Sequence, residues 1–177
     1  HLMVIKKYYF KKIKSTNDQA IKMIKRGLSK GIIITEEQTD GRGQHGNKWI
    51  SLKGNLFMTI FFEINKKGKI AELTKFNLKL IKRVIQKYIK KKLTIKYPND
   101  ILVNEKKICG ILQEVIFFKL KKLMIVGIGI NVKKSPRINK YKTTFINEHT
   151  MKKIDKMSVI KNLQKIFEKN IRFYKCI

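Results

Sequence analysis

The chain has 177 residues, 43% hydrophobic and 10% aromatic, which is enough for one domain with a real core and excludes a disordered chain. Its 42 Lys and Arg against 12 Asp and Glu give a formal charge of +30. The excess is lysine spread along the whole length, with arginine only at Arg26, Arg42, Arg83, Arg137 and Arg172 and no nucleic-acid motif beside it, so composition argues against a specific nucleic-acid site while favouring salt-sensitive attraction to acidic macromolecules. No apolar run reaches the length of a membrane span, and the N-terminus lacks a signal-peptide core, so no membrane association is expected. His1 and Leu2 ahead of Met3 read as a cloning remnant. Cys109 and Cys176 make neither a disulfide framework nor a zinc site and point to a reducing, cytoplasmic setting.

In chain order, Val4 to Phe10 predicts a short strand. Ser15 or Thr16 then caps a helix with Asp18 in its first turn, the stripe Ala20, Ile21, Met23, Ile24 and Leu28, and a stop at Gly27. Gly31 to Thr35 reads as a buried strand leading to Gly41-Arg42-Gly43-Gln44-His45-Gly46-Asn47-Lys48-Trp49, which holds three glycines and the single tryptophan. Glycine reaches positive φ and lets backbone N–H groups face an anion, and Arg42 adds a fork of donors, although the same composition suits a flexible hairpin. Asn55 to Ile64 is apolar throughout and predicts a strand covered on both faces.

Ala71 to Lys92 predicts a helix of about 20 residues, with Leu73, Phe76, Leu80, Ile81, Val84, Ile85, Tyr88 and Ile89 at helical spacing. Leu93 to Tyr97 is a strand ending at the turn Pro98-Asn99-Asp100, and Ile101–Val103 and Lys106–Phe118 form a hairpin about Asn104-Glu105. Leu123 to Val132 is a further strand after a lysine-rich turn over Lys119 to Lys122. Lys133 to Asp155 reads as loop, and Lys156 to Cys176 as a helix with Met157, Ile160, Leu163, Ile166, Phe167 and Ile171 on one side. The order predicts an α+β fold with a mixed, largely antiparallel sheet packed against helices.

Five short motifs stand out against this frame. Ser15-Thr16-Asn17 offers hydrogen-bonding side chains at a helix start, with Gln38 just ahead of the glycine loop. Lys96-Tyr97-Pro98-Asn99-Asp100 puts an amide and a carboxylate at a strand end. Lys107 to Glu114 carries a lysine in an apolar strand, and Gly127-Ile128-Gly129-Ile130-Asn131 has glycines where a strand wants side chains. Each has a plain structural use, as a helix cap, a turn, a solvent-facing lysine or a packing gap.

Together with Gly41 to Trp49, in this order and spacing, they resemble the catalytic domain of biotin protein ligases in the biotin/lipoate protein ligase family, across Ser15 to Asn131. The resemblance implies a class II aminoacyl-tRNA synthetase-like fold. It implies a ligase that uses ATP and Mg2+ to activate biotin as biotinyl-5'-AMP and passes it to a lysine of a biotin carboxyl carrier domain. Carried over, Ser15, Thr16, Asn17 and Gln38 hold biotin's ureido head, and Arg42, Gly43 and Gln44 contact its carboxylate and the phosphate. Arg42 and Lys107 are catalytic cations, and Asp100 orients Lys107 or holds magnesium. Trp49, Asn99 and Asn131 face the nucleotide, with Arg42 and Lys107 reaching it too. Gly110 and Gly129 make room for ligand, and Cys109 is buried and inert.

Family loops commonly carry arginines where this chain has Gln44 and Asn47, which implies a weaker hold on the adenylate. The residues before Ser15 are too few for the family's DNA-binding domain, and the 46 after Asn131 read as loop and helix. The expectation is therefore a catalytic domain over residues 3–177, without an N-terminal DNA-binding domain and with the C-terminal β domain absent or vestigial, acting as a monomer or homodimer. A lipoate or octanoate ligase or transferase of the same fold, and a degenerate biotin-binding member, are the alternatives within the family. A basic nucleic-acid-binding module is the alternative outside it.

Overall fold

The computed structural model describes residues 3–176, so the remnant read at His1 and Leu2 lies outside it. Seven strands form one sheet: β1 Lys7–Ile13, β2 Lys30–Gln38, β3 Leu56–Ile64, β4 Leu93–Lys96, β5 Asp100–Val103, β6 Lys106–Phe118 and β7 Lys121–Ile130. Their spatial order is β1-β2-β3-β7-β6-β5-β4, with β1 and β2 parallel and every other pair antiparallel. The helices are α1 Thr16–Lys25, α2 Ile70–Gln86, α3 Lys156–Asn170 and α4 Phe173–Cys176. The α+β architecture with a mixed, largely antiparallel sheet matches the sequence expectation.

Strand periodicity sorts the sheet into two faces. On β3, Leu56, Met58, Ile60, Phe62 and Ile64 join the large core under α2, α3 and α4. Phe61 turns the other way and packs with Ile33, Leu123 and Ile125 against Ala20, Met23 and Ile24 of α1. The continuous apolar run of β3 is thus explained by burial on both sides. Because α1 covers only part of its face, the remainder is left open for the loop that follows β2.

Several boundaries differ from expectation for local reasons. The first strand starts at Lys7 rather than Val4, since its ladder runs from Lys7 opposite Ile32 to Ile13 opposite Gln38. Helix α2 stops at Gln86 rather than Lys92. The Gln86 amide donates to the carbonyls of Ile89 and Lys91, both at 2.9 Å, and accepts from Leu93 N at 3.0 Å, which folds the chain into β4. Strand β7 begins at Lys121, so the turn narrows to Lys119 and Leu120, with Lys119 at φ 55.

The C-terminal helix is broken after Asn170, and Met157 is exposed; Val159, Ile160, Leu163 and Phe167 form its buried side. The break swings Tyr174 of α4 into the core, 4.5 Å from the Phe62 ring, where its hydroxyl donates to Asn77 Oδ1 of α2. Apart from isolated bridges at Ile138, Tyr141 and Thr143, the segment over 133–155 carries only a 3₁₀ turn at Ile146–Glu148, but it is anchored. Asn55 Oδ1 accepts from the N–H groups of Val132, Lys133 and Lys134 at 3.0–3.2 Å.

Burial raises the pKa of both the Tyr174 phenol and the Cys109 thiol. The folded state therefore keeps both protons where the unfolded chain loses them, and their stabilisation, complete below the ordinary thiol and phenol ranges, is lost as pH rises through them. Tyr174→Phe is expected to cost about 1–3 kcal/mol at neutral pH by leaving Asn77 Oδ1 without its donor, and to flatten the alkaline fall in stability. Urea unfolding of both proteins between about pH 8 and pH 10.5 measures both effects.

Candidate active site

The open part of the sheet face is floored by glycine. Cross-strand partners share a face, so Thr59, Gly127 and Leu112 form one row across β3, β7 and β6, and Phe57, Gly129 and Gly110 form the next. A Cβ on Gly127 would lie 2.4 Å from Asn17 Oδ1. One on Gly129 or Gly110 would lie 2.5 Å from the Trp49 ring. The glycines thus admit Asn17 and the Trp49 indole to the sheet. Gly110 and Gly129 were expected to make room for ligand directly; here they make room for the tryptophan.

The α1 end of this floor is a buried polar relay. Ser15 Oγ accepts from Asp18 N at 3.0 Å, which caps the helix and leaves the hydroxyl proton free to donate. Thr16 N donates to Gln38 Oε1 at 2.9 Å, and Gln38 Nε2 donates to Ser51 Oγ at 3.1 Å. Thr59 Oγ1 lies 2.7 Å from Thr16 Oγ1 and 2.6 Å from Asn17 Oδ1. Asn17 Oδ1 can only accept, so Thr59 donates to it and accepts from Thr16. Asn17 Nδ2 donates to Glu114 Oε1 at 2.9 Å and to Leu112 O at 3.2 Å.

The glycine loop is an ordered flap. Arg42 and Lys48 bridge in antiparallel fashion, Trp49 N donates to Gly41 O at 2.8 Å, and Gly43 N donates to Asn47 O at 2.7 Å. Its tip turns through His45 at φ 54 and Gly46 at φ 75. Arg42, expected as a catalytic cation of the flap, is held by two carboxylates here. Its guanidinium reaches Glu114 with two donors, at 2.7 and 3.3 Å, and lies 2.9 Å from Asp18 Oδ1. The hydrogen bonds it donates to Glu114 raise the guanidinium pKa further, against the opposing effect of burial. Of the two positions lacking the family's arginines, Gln44 lines the cleft whereas Asn47 sits on the exposed tip.

At the β6 end, Lys107 Nζ lies 3.0 Å from Asp100 Oδ1 and faces the Trp49 ring at 5.3 Å. The carboxylate was expected either to orient the lysine or to hold magnesium. Here it pairs with Lys107. Asn131 is buried, donates to Thr144 O at 3.1 Å and lies 3.4 Å from Asn55 Nδ2, so its amide pins the loop after β7, and it lines a second pocket with Trp49, Lys107 and Tyr141.

The start of α1, the flap and the start of β6 meet around an open cleft lined by Ser15, Gln38, Arg42, Trp49, Asn99 and Lys107, among others. Among the described residues, the buried side-chain polar atoms without a hydrogen-bond partner are Arg42 Nε, Trp49 Nε1, Asn99 Oδ1 and Asp100 Oδ1, the last having only its ion pair. All four belong to residues lining this cleft. Buried polar atoms are ordinarily satisfied, so their convergence marks a surface shaped for a polar ligand. The motifs left out Asp18 and Glu114 as partners of Arg42, and Thr59, Ser51 and Tyr141 altogether. Glu114 stood at the end of a motif and Asp18 in the first turn of α1; Thr59, Ser51 and Tyr141 carry no local signal.

Residues 9–131 match the sequence model of the Biotin/lipoate A/B protein ligase family, and the chain belongs to that family. Among curated proteins it is 30% identical over 174 residues to the bifunctional ligase/repressor BirA of Bacillus subtilis, covering 94% of this chain and 54% of that protein. The chain thus spans about half the length of that relative. Among solved structures, the biotin protein ligase of Aquifex aeolicus in complex with biotin and ATP superposes with a TM-score of 0.78 at 29% identity, over 96% of this chain and 72% of that one. The biotin protein ligase of Leishmania major in complex with biotinyl-5-AMP shares the fold, with a TM-score of 0.82 at 24% identity over 97% and 76% of the two chains.

Seating of the indole on the glycine floor is directly measurable, because Trp49 is the only tryptophan. Gly129→Ala should shift its emission to the red with the far-ultraviolet circular dichroism unchanged. An unshifted spectrum would show that the ring does not rest there.

Proposed function

We propose that this chain supplies the catalytic unit of an ATP-dependent ligase that activates biotin as biotinyl-5'-AMP and transfers it to a lysine of a biotin carboxyl carrier domain. The observation that carries this reading is the convergence of Arg42 Nε, Trp49 Nε1, Asn99 Oδ1 and the Lys107–Asp100 pair on one cleft. Family membership and the biotin-and-ATP complex of the Aquifex relative support the choice of substrates.

In the first step an oxygen of biotin's carboxylate attacks the α-phosphorus, the bond to the bridging oxygen breaks, and pyrophosphate leaves. Two anions must meet, so the barrier falls only where cations and N–H donors are already fixed. Lys107, held by Asp100, is assigned to the developing charge between carboxylate and phosphate. Arg42 and the flap amides of Gly43 and Gln44 serve the same end of the ligand once the guanidinium is shared away from Glu114 and Asp18. In the second step the acceptor amine attacks the acyl carbon, AMP leaves, and the amine gives up a proton. The flap over the cleft would keep water from the anhydride.

Ser15, Thr16, Asn17 and Gln38 suit the ureido head, which needs a few placed donors and acceptors beside an apolar body. Leu112, on the same face as Gly127, offers that apolar wall. Trp49 and Asn99 are assigned to the nucleotide. Magnesium would enter as the counter-ion of the nucleotide's phosphates, neutralising charge there. The abundance of lysine favours encounter with an acidic carrier surface, and the free Cys109 and Cys176 suit a cytoplasmic setting.

ATP labelled at the α-phosphate, incubated with biotin or with lipoate, tests the assignment. Label should appear in biotinyl-adenylate with biotin alone, and label in lipoyl-adenylate would redirect the chain to lipoate. Lys107→Ala should lower adenylate formation by about two to three orders of magnitude, and near-normal turnover would remove the lysine from the mechanism. With glutamine at 44 instead of a cation, biotinyl-adenylate should dissociate faster than from relatives with an arginine there, by about one kcal/mol or more in barrier. Retention for hours in a filter-binding chase would contradict this.

A further inference from the structure

The segment after β7 crosses back over β6 at Lys107. Lys107 N donates to Lys142 O and Thr144 N donates to Lys107 O, both at 2.9 Å, giving a parallel bridge between Lys107 and Thr143. The side chains follow the backbone. Lys107 Nζ lies 5.0 Å from the centroid of the Tyr141 ring and 5.3 Å from that of Trp49, with Asp100 Oδ1 at 3.0 Å. The lysine side chain is 15% exposed, so two π faces and one carboxylate replace most of its water.

These three partners come from three separate segments, and the Tyr141 segment is firmly held. Thr143 Oγ1 donates to Pro136 O at 2.6 Å, Asn131 Nδ2 donates to Thr144 O at 3.1 Å, and Asn55 gathers the amides that follow β7. Tyr141 itself is 40% exposed, so the core does not need its ring. A second carboxylate at this place would hold the ammonium but compete with an incoming anion. An aromatic face attracts the cation without adding an anionic charge, and leaves it able to meet a carboxylate or phosphate.

We propose that Tyr141 is a positioning residue for Lys107, its ring face fixing the ammonium between the flap and the loop after β7. This rests on the ligase reading for its kinetic consequence but not for its geometry. In wild-type protein that forms biotinyl-adenylate, Tyr141→Leu should lower kcat for that step about threefold to thirtyfold, with KM for biotin and ATP moving less than about twofold. Tyr141→Phe should restore the rate, because the ring face and not the hydroxyl does the holding. On a Lys107→Ala background, Tyr141→Leu should add no further loss.

A parallel arm needs no activity. Limited acylation with an amine-reactive ester, mapped by mass spectrometry, should label Lys107 several-fold faster in Tyr141→Leu than in wild type or Tyr141→Phe. A wild-type chain that makes no adenylate yet labels in this pattern would overturn the ligase reading and keep the positioning role. Unchanged Lys107 labelling, an unchanged kcat, a raised KM for ATP at constant kcat, failure of phenylalanine to rescue, or an additive loss on the Lys107→Ala background would each overturn the role for Tyr141.

Discussion

Three absent side chains decide where this molecule can have a site. Gly110, Gly127 and Gly129 lie on one face of the central sheet, and a methyl group at any of them would fall within 2.4–2.5 Å of Asn17 or the Trp49 ring. Because those positions are bare, the first turn of α1 reaches the sheet from one side and the flap from the other. The apolar positions that alternate with these glycines on β7, Val126, Ile128 and Ile130, belong to the core on the opposite face. Stability and cleft are thus written into the same strand with a period of two.

Charge is then distributed within that gap rather than merely supplied. A chain with 42 basic residues has no shortage of cations, yet the two in the cleft are held by carboxylates: Arg42 by Glu114 and Asp18, Lys107 by Asp100. Such pairing fixes the cations at a partly buried site, where free ones would be expensive to desolvate. Glu114 also accepts from Asn17, so the polar relay at α1 and the flap arginine share one carboxylate. A ligand that engages Asn17 therefore acts on the partner of Arg42, which gives the two ends of the cleft a physical connection.

Much of this was legible in the sequence, and the rest was hidden for identifiable reasons. The hairpin about Asn104-Glu105 was readable because both residues take positive φ, at 47 and 65, in a two-residue turn between apolar runs. Ser15 was readable as a cap and Gly27 as a stop, the latter at φ 102. The order of motifs brought Ser15, Thr16, Asn17, Gln38, Arg42, Gly43, Gln44, Trp49, Asn99, Asp100, Lys107 and Gly110 to one cleft, as expected. Asn131 lies outside that cleft but lines a pocket that shares Trp49 and Lys107 with it; the motif did not show that its amide also bonds the loop after β7. Asp18 looked like a helix-start acid, and Tyr141 lay in a stretch without periodicity; their partners are set only by tertiary approach. The break that buries Tyr174 was masked by a helical pattern continuing through it.

Under the proposed function, this one cleft holds an acyl-adenylate with the flap closed on it. The most direct test is calorimetric titration of a hydrolysis-resistant analogue of biotinyl-5'-AMP into the chain, with Trp49 emission followed in the same solutions. Saturable binding at one site per chain is expected, with a concurrent change in the tryptophan signal. Absence of binding, or binding that leaves Trp49 unperturbed, would contradict it.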